Sequence, residues 1–554
     1  MTPAVLRVEG YTLDYDTAAG PMRALEEVSF EISTGRTLGL VGESGSGKSS
    51  LAWAIMRYLP ANARENDGAL ILQGENLRTM TQEQILQTRG RRASMVFQDP
   101  STSLNPAMRL GDQIAEVLIR HRGLSRAEAF AEGEAALART GIGKPADMMR
   151  RYPHEASGGE KQRVVIATAF SCQPALIVFD EPTTALDIIT AQGILKLFRE
   201  LQDETGVSAL YISHDLALVS QVAHDVAVIH RGRIVETGTP RHIFTSPQAP
   251  YTRGLIAAVP RPDRWMGVTP PLPETPPLLT AKTVSVLYGA PSPLVRRLGF
   301  RGRPHWGARE VSFTVRPGEL VGLVGESGSG KSTMARVLSG LQEFDGEVEF
   351  SGRTFRQRRK FDRRYRRAVQ IVFQHPDASL NPRHKVGRIL SRPLKIYGLA
   401  PRAERAARVR SLLERVLLPP EYADRYPHQL SGGEKQRVAI ARAFAAEPDL
   451  VICDEITAAL DVSVQASVAQ LLMDLQRDTG TACLFITHDL NLVRQLAHRI
   501  IVMQNGSVVD SFANHEADAP DRAAYTRALL DAVPKPAELE AEQEAPRRAG
   551  KDLQ

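Results

Sequence analysis

Eight residues, Gly42-Glu43-Ser44-Gly45-Ser46-Gly47-Lys48-Ser49, have the types and spacing to hold a phosphate, and they return as Gly325-Glu326-Ser327-Gly328-Ser329-Gly330-Lys331-Ser332. The pattern is G-x-x-x-x-G-K-[ST], and each copy follows an apolar strand-like run, Thr37 to Val41 or Glu319 to Val324. Glycines let backbone N–H groups turn toward an oxyanion, and the helix that follows presents its positive N-terminus to it. Lys48 or Lys331 would reach the β and γ oxygens of a triphosphate, and Ser49 or Ser332 would offer a hydroxyl to Mg²⁺. One such stretch could be a Gly-rich strand-to-helix turn with a solvent lysine. Two in register argue against that.

The next chemistry is acidic. The apolar run Ala175-Leu-Ile-Val-Phe179 ends in Asp180-Glu181, as a buried parallel strand would that delivers two carboxylates to its C-terminal edge, where ligands of open α/β sheets bind. Asp180 would hold the Mg²⁺ shell and Glu181 would polarise an attacking water. Leu450-Val-Ile-Cys453 delivers Asp454-Glu455 in the same way. Alone, an acidic pair after a strand could be a helix cap with a first-turn acid. The phosphate loop upstream favours the catalytic reading.

The elements that must position these groups come as an internal repeat. Ser157-Gly-Gly-Glu-Lys-Gln-Arg-Val164 recurs unchanged at Ser431 to Val438, an offset of 274 that also carries Asp180-Glu181 to Asp454-Glu455 and His214 to His488. A chain of 554 residues is too long for one core, and here it is two copies of one domain. Each copy is strand-rich at its start, followed by the phosphate loop and its helix, and then by a helical stretch such as Arg109 to Arg122 or Arg402 to Leu418. Short apolar runs then alternate with helices: Ala175 to Phe179, Ala209 to Ile212, Val226 to His230. The expected fold is α/β, a mainly parallel sheet covered by helices with an antiparallel portion near each start.

The expected boundaries are 1–259 for the first domain, 260–279 for a linker, 280–534 for the second domain and 535–554 for a polar, fraying tail. Pro260 to Pro277 holds seven prolines in eighteen residues, which reads as an extended, semi-rigid spacer. The second copy carries about ten extra residues in its early strands, including Pro291 to Phe300, which reads as a longer hairpin loop.

Composition narrows the classes. Hydrophobic residues at 43% and charged residues at 24% are ordinary globular values. The three cysteines, Cys172, Cys453 and Cys483, form no CxxC pair, which argues against zinc, an iron-sulfur site or a disulfide framework and fits reduced, buried thiols. The N-terminus lacks a signal-peptide apolar core and no run is long enough to span a bilayer, so any membrane role would be peripheral. A net charge of +6 is too small against 69 basic and 63 acidic residues to choose a partner. Between Arg353 and Arg367 nine of fifteen residues are basic, which reads as a solvated domain edge, with lipid headgroups or RNA as the other readings.

With these motifs in this order, the chain resembles a tandem ATPase subunit of an ATP-binding cassette transporter over nearly its whole length. That resemblance implies two P-loop NTPase domains, each with a RecA-like parallel core, an antiparallel β subdomain and a helical subdomain. It implies nucleotide contacts from Gly42, Ser44, Gly45, Gly47, Lys48, Ser49 and Ser50, and from Gly325, Ser327, Gly328, Gly330, Lys331, Ser332 and Thr333. Ser157-Gly158-Gly159 and Ser431-Gly432-Gly433 look like the signature motif, Ala185-Leu186-Asp187 and Ala459-Leu460-Asp461 like the D-loop, and His214 and His488 like the switch histidine. Gln98 and Gln374 fall at the Q-loop, as nucleotide contacts and Mg²⁺ ligands beside Ser49, Asp180, Ser332 and Asp454. Tyr15 and Tyr288 stand where an aromatic stacks on adenine.

In this family the nucleotide is sandwiched between two domains. The resemblance therefore implies that the two cassettes pair within the chain: Lys48, Asp180, Glu181 and His214 with Ser431 and Gly433, and Lys331, Asp454, Glu455 and His488 with Ser157 and Gly159. Both sites are expected to hydrolyse ATP. Ile456 in place of Pro182, and Ala156 in place of the usual leucine found at Leu430, predict a modest asymmetry, with Glu455 held less rigidly.

Two further motifs resemble the dipeptide, oligopeptide and nickel importers: Gln98-Asp-Pro-Ser-Thr-Ser-Leu-Asn-Pro106 with Gln374-His-Pro-Asp-Ala-Ser-Leu-Asn-Pro382, and Pro250-Tyr-Thr-Arg-Gly-Leu-Ile-Ala-Ala-Val-Pro260 with Ala524-Tyr-Thr-Arg-Ala-Leu-Leu-Asp-Ala-Val-Pro534. Read blandly, these are a surface turn and a docking helix. The cysteine cluster that some members carry in the extension is absent. The fused arrangement resembles single-chain ATPases of peptide or glutathione importers. It implies two transmembrane permease subunits as partners, an extracytoplasmic solute-binding protein acting indirectly, a place on the cytoplasmic face of the inner membrane, and no nucleic acid. The rival reading is a non-transport tandem cassette acting on ribosomes or nucleic acid, but such proteins have a long charged helical linker, and the spacer here is Pro-rich. Nickel chelates, opine-like solutes and oligosaccharides stay open beside peptides and glutathione.

Overall fold

Two five-residue strands, Thr37–Val41 and Leu320–Val324, are buried at every position, as central strands covered on both faces must be. Each sits at the heart of one of two compact units, divided between Val259 and Pro260. The computed structural model describes residues 3–17, 20–184, 186–260, 275–289, 304–457 and 460–533.

In the first unit, β1 (Ala4–Thr17), β2 (Gly20–Ser33), β4 (Ala63–Leu72) and β5 (Glu75–Asn76) form an antiparallel sheet in the order β2-β1-β4-β5. The second sheet contains β3 (Thr37–Val41), β6 (Ala93–Val96), β7 (Leu176–Asp180), β8 (Ser208–Ser213), β9 (Asp225–His230) and β10 (Arg233–Gly238), in the order β10-β9-β3-β8-β7-β6. All its pairs are parallel except β10 with β9. The second unit repeats this plan. Its antiparallel sheet holds β11 (Leu279–Tyr288), β12 (His305–Val315), β14 (Asp345–Phe350) and β15 (Arg353–Phe355). Its main sheet holds β13 (Leu320–Val324), β16 (Val369–Val372), β17 (Leu450–Asp454), β18 (Ala482–Ile486), β19 (Arg499–Gln504) and β20 (Ser507–Ala513), in the order β16-β17-β18-β13-β19-β20. The expected α/β architecture is the observed one.

This order positions the chemistry. Because β8 lies between β3 and β7, the C-terminal ends of all three, carrying the phosphate loop, Asp180-Glu181 and His214, open on one edge of the sheet. Continuous burial of Val, Ile, Leu and Phe fixes these strands: β7 and β8 are buried at every residue. One core in each unit joins both sheets to the helix after the phosphate loop, through Leu51, Ala52 and Ile55 in the first and Met334, Ala335 and Leu338 in the second.

The expected helical stretches form, with trimmed ends. Leu110–Arg122 buries Leu110, Ile114, Ala115 and Leu118 and stops at Gly123 (φ 68). The stretch expected over 402–418 is helical only over Arg405–Arg415, since Pro419 and Pro420 follow closely and Leu417 adopts φ 57. Cys453 and Cys483 are buried thiols that form no disulfide and share a hydrogen bond at 3.9 Å, whereas Cys172 is only half-buried, because it caps a helix at its exit. In the basic run, Arg353, Arg356, Arg358 and Arg367 pair with Asp362, Glu347, Glu343 and Glu447, as a solvated edge would. The hairpin expected at 291–300, most of the linker and the tail lie outside the described residues. Among those described, no helix is long and apolar enough to cross a membrane.

Candidate functional site

The phosphate loop begins where β3 leaves the core. Gly47 takes φ 104, and a side chain there would meet the Ala24 carbonyl at 2.6 Å, so only glycine closes the turn into the helix Lys48–Ile55. Gly330 repeats this, with φ 104 and the Gly307 carbonyl 2.3 Å from a would-be Cβ. Lys48 is 4% exposed, and its ammonium donates to the carbonyls of Gly42 and Glu43, each at 2.8 Å. Lys331 donates to Gly325 at 2.8 Å and Glu326 at 2.7 Å. Lys48 also acts through its charge on Asp180 and Glu181, and Lys331 on Asp454 and Glu455, and a cation stationed at a glycine loop suits an anionic ligand. At the crown of each loop a Cβ on Gly45 or Gly328 would meet nothing within 4 Å, so the backbone there is open to approach. A triphosphate therefore fits the donors present.

The acidic edge meets the first turn of that helix. Ser49 Oγ donates to Asp180 Oδ1 at 3.1 Å, and Ser332 Oγ to Asp454 Oδ1 at 2.9 Å. Burial pushes Asp180 up to about 6, and Asp454 rises for the same reason. No cluster of three or more acidic, His or Cys ligands occurs among the described residues. One carboxylate and one hydroxyl per site suit Mg²⁺, which takes few protein ligands and completes its shell with water and phosphate oxygens.

Glu181 and Glu455 both adopt φ 49, a conformation non-glycine residues seldom hold, and each N–H donates to the neighbouring strand, to Ile212 at 3.0 Å and to Ile486 at 2.9 Å. Glu455 thus takes the same backbone conformation as Glu181, although Ile456 follows it where Pro182 follows Glu181.

The side chains do differ. Glu181 Oε2 accepts from Gln98 at 3.1 Å and Thr184 at 2.9 Å and lies 3.1 Å from His214 Nδ1. Glu455 Oε2 accepts from Gln374 at 2.8 Å, His488 Nδ1 stands 3.9 Å from Oε1, and the residue matching Thr184 is Ala458. Burial pushes Glu181 upward, but His214, Lys48 and Thr184 outweigh it and leave the carboxyl below its ordinary range. Glu455 is lowered chiefly by the imidazole beside it. His488 is raised, because Glu455 and Asp489 outweigh its burial. Each histidine is thus placed to hold its glutamate ionised.

The other expected residues have their own local contacts. Ser157 and Ser431 cap the helices Gly158–Ser171 and Gly432–Phe444 in reciprocal capping boxes with Glu160 and Glu434. Gly158 and Gly432 are exposed, and a Cβ on Gly159 or Gly433 would meet Thr190 or Val464 within 2.8 Å. Of the D-loop residues, Ala185 and Ala459 lie outside the described residues; Asp187 and Asp461 cap the helices Ile188–Thr205 and Val462–Thr479. Tyr15 packs on the first core with its hydroxyl buried and unpartnered, while the Tyr288 hydroxyl lies 3.4 Å from Thr333 Oγ1, at the loop helix. Thr184 was not foreseen, since a threonine three residues past an acid carries no specific signal.

Comparison with known proteins agrees with this geometry. The family described as "ABC transporter" matches residues 25–184 and 308–458, spans that hold both phosphate loops, both Ser-Gly-Gly stretches and both Asp-Glu pairs. The family "Oligopeptide/dipeptide transporter, C-terminal region" matches residues 235–284. The glutathione import ATP-binding protein GsiA of Escherichia coli (strain K12) is 41% identical over 560 positions, covering 96% of this chain and 89% of its own. That of Shigella sonnei (strain Ss046) matches with the same identity and coverage. A solved bacterial ABC transporter cassette, MJ0796 in dimeric form, is 24% identical over 42% of this chain and 98% of its own, with a TM-score of 0.39. Two phosphate loops, each facing its own Asp-Glu strand end, and a family match that spans both halves make this chain a tandem ATP-hydrolysing subunit of the ABC transporter family.

Proposed function

We propose that this ATPase energises the import of a peptide-type solute, with glutathione or a short peptide as cargo. The observation that carries the proposal is the 41% identity across 96% of the chain to a protein named for glutathione import, and the oligopeptide/dipeptide region at 235–284 supports it. The chain would sit at the cytoplasmic face of the membrane, bound to two permease subunits.

Within each cassette, Lys48 or Lys331 would move from the loop carbonyls to the β and γ phosphates, and the amides around Gly45, Gly47, Gly328 and Gly330 would cradle them. Ser49 with Asp180, and Ser332 with Asp454, would hold Mg²⁺, with Gln98 and Gln374 at the outer side of each shell. When bound, Mg²⁺ would supply charge neutralisation on the phosphate oxygens. Glu181 and Glu455, kept ionised by His214 and His488, would orient and polarise the attacking water. Tyr15 and Tyr288 would flank the adenine.

The test is purification of the chain from its own membranes under gentle conditions, followed by uptake assays on vesicles that contain the recovered complex. Co-recovery of two polytopic permeases and ATP-dependent uptake of labelled glutathione or dipeptide is the expected result. Recovery with ribosomal proteins and no membrane partner would overturn the proposal.

A further inference from the structure

The terminal extension repeats in the sequence as Pro250-Tyr251-Thr252-Arg253 and Ala524-Tyr525-Thr526-Arg527, and nucleotide chemistry as described so far gives it no task. In both units it forms a helix, Pro250–Ala258 and Ala524–Asp531, seated on the core through buried Thr252, Leu255 and Ile256 or Thr526 and Leu529. An acid on the last strand of each main sheet fixes where the helix begins. Glu236 on β10 accepts the N–H groups of Gln248 at 2.7 Å and Ala249 at 3.0 Å, and Asp510 on β20 accepts that of Ala523 at 3.0 Å.

So seated, each helix sends one hydroxyl to the phosphate loop. The Glu43 N–H donates to Tyr251 Oη at 3.2 Å, and the Glu326 N–H to Tyr525 Oη at 3.0 Å. These are the same peptide residues whose carbonyls hold Lys48 and Lys331. Residue 43, and likewise 326, is thus pinned at both ends, its N–H by the extension and its C=O by the loop lysine. In the first unit the His230 ring also packs on Tyr251, with centroids 3.9 Å apart; the matching residue in the second is Gln504.

We propose that Tyr251 and Tyr525 are positioning residues for nucleotide binding, each holding the entry peptide of its phosphate loop in the conformation that receives the triphosphate. They act through the loop and need not touch the ligand. The proposal rests on the loops being the nucleotide sites, as argued above.

With the hydroxyl gone, the Gly42–Glu43 peptide can turn over and take with it the Gly42 carbonyl, which also stations Lys48. The apparent affinity then falls by the fraction of loops that remain competent. A neutral hydrogen bond of ordinary strength sets that loss at roughly three- to tenfold. Because a nucleotide, once bound, itself orders the loop, turnover at saturating ATP should change less than about twofold.

The experiment uses the full chain with Tyr251→Phe, read in a background where Lys331→Ala silences the other loop, and Tyr525→Phe read with Lys48→Ala. Titration with AMP-PNP gives Kd, steady-state hydrolysis gives KM and kcat, and thermal melting reports folding. The expected result is a raised Kd and KM, a nearly unchanged kcat, and a melting temperature within about a degree of the parent chain. Glu236→Ala, which frees the start of the helix while keeping Tyr251, should raise Kd in the same direction. Kd within twofold of the parent in both Tyr→Phe variants would overturn the proposal, as would a lowered melting temperature with Kd unmoved. If the parent chains themselves fail to bind AMP-PNP, the reading of the loops as nucleotide sites falls first.

Discussion

Thr184→Ala would remove one of three groups that converge on a single oxygen, Glu181 Oε2: the Thr184 hydroxyl at 2.9 Å, the Gln98 amide at 3.1 Å and His214 Nδ1 at 3.1 Å. A hydrogen bond to a charged carboxylate contributes about 1.5–3 kcal/mol. The Glu181 side chain is 15% exposed, so water can replace part of the loss, and the net cost to its orientation is about 1 kcal/mol. If that cost appears in the transition state, turnover at the first site falls about fivefold. The assay is steady-state ATP hydrolysis by the full chain carrying Glu455→Gln, which leaves the first site to be read alone. The expected pattern is a reduced kcat, KM within twofold, and recovery with Thr184→Ser. An unchanged kcat for Thr184→Ala, or failure of serine to restore it, would mean that the Thr184 hydroxyl does not orient Glu181.

Other outcomes follow from the same geometry. Gly47→Ala places a Cβ 2.6 Å from the Ala24 carbonyl at φ 104, and should weaken ATP binding at the first site tenfold or more in a nucleotide titration. Chelating Mg²⁺ should abolish hydrolysis, and Asp180→Asn should raise the Mg²⁺ concentration that supports half-maximal rate at the first site, measured with Glu455→Gln present. Glu65 binds Arg57 through both oxygens, at 2.6 and 2.8 Å, and accepts from Tyr11 at 2.8 Å, so Glu65→Gln should cost about 2 kcal/mol and lower the first melting transition by several degrees. Burial pushes Glu65 upward, but Arg57 and Tyr11 outweigh it and its folded pKa is depressed. Its stabilisation is therefore present above the unfolded value and lost as pH falls below about 4.5, and melting curves of Glu65→Gln should be flatter with pH there.

The phosphate loops and the Asp-Glu strand ends were legible because phosphate binding demands fixed residue types at fixed spacing, and buried parallel strands read as unbroken apolar runs. The α/β class followed from the order of those runs, and the repeat doubled every signal. What stayed hidden depends on which side chain reaches which atom. Tyr251 meets Glu43 across 208 residues, and no local pattern encodes that approach. The asymmetry between sites was sought in the backbone at Ile456, yet β7 and β17 deliver their glutamates in one backbone conformation, and the described difference lies in the side chains, with His214 3.1 Å from Glu181 and His488 3.9 Å from Glu455. Cys172 was expected to be buried with the other thiols, but a residue at a helix exit faces partly outward. Helix ends moved by one to three residues because prolines and left-handed residues, which sequence periodicity does not count, decide where a helix stops.

The central claim is that the two strand-end glutamates carry hydrolysis while the phosphate loops carry binding. It is tested most directly by measuring ATP turnover and AMP-PNP binding on one preparation of the chain bearing Glu181→Gln and Glu455→Gln together. Turnover should fall at least a hundredfold, with AMP-PNP affinity within about threefold of the unmodified chain. Turnover that persists near its original rate would contradict it.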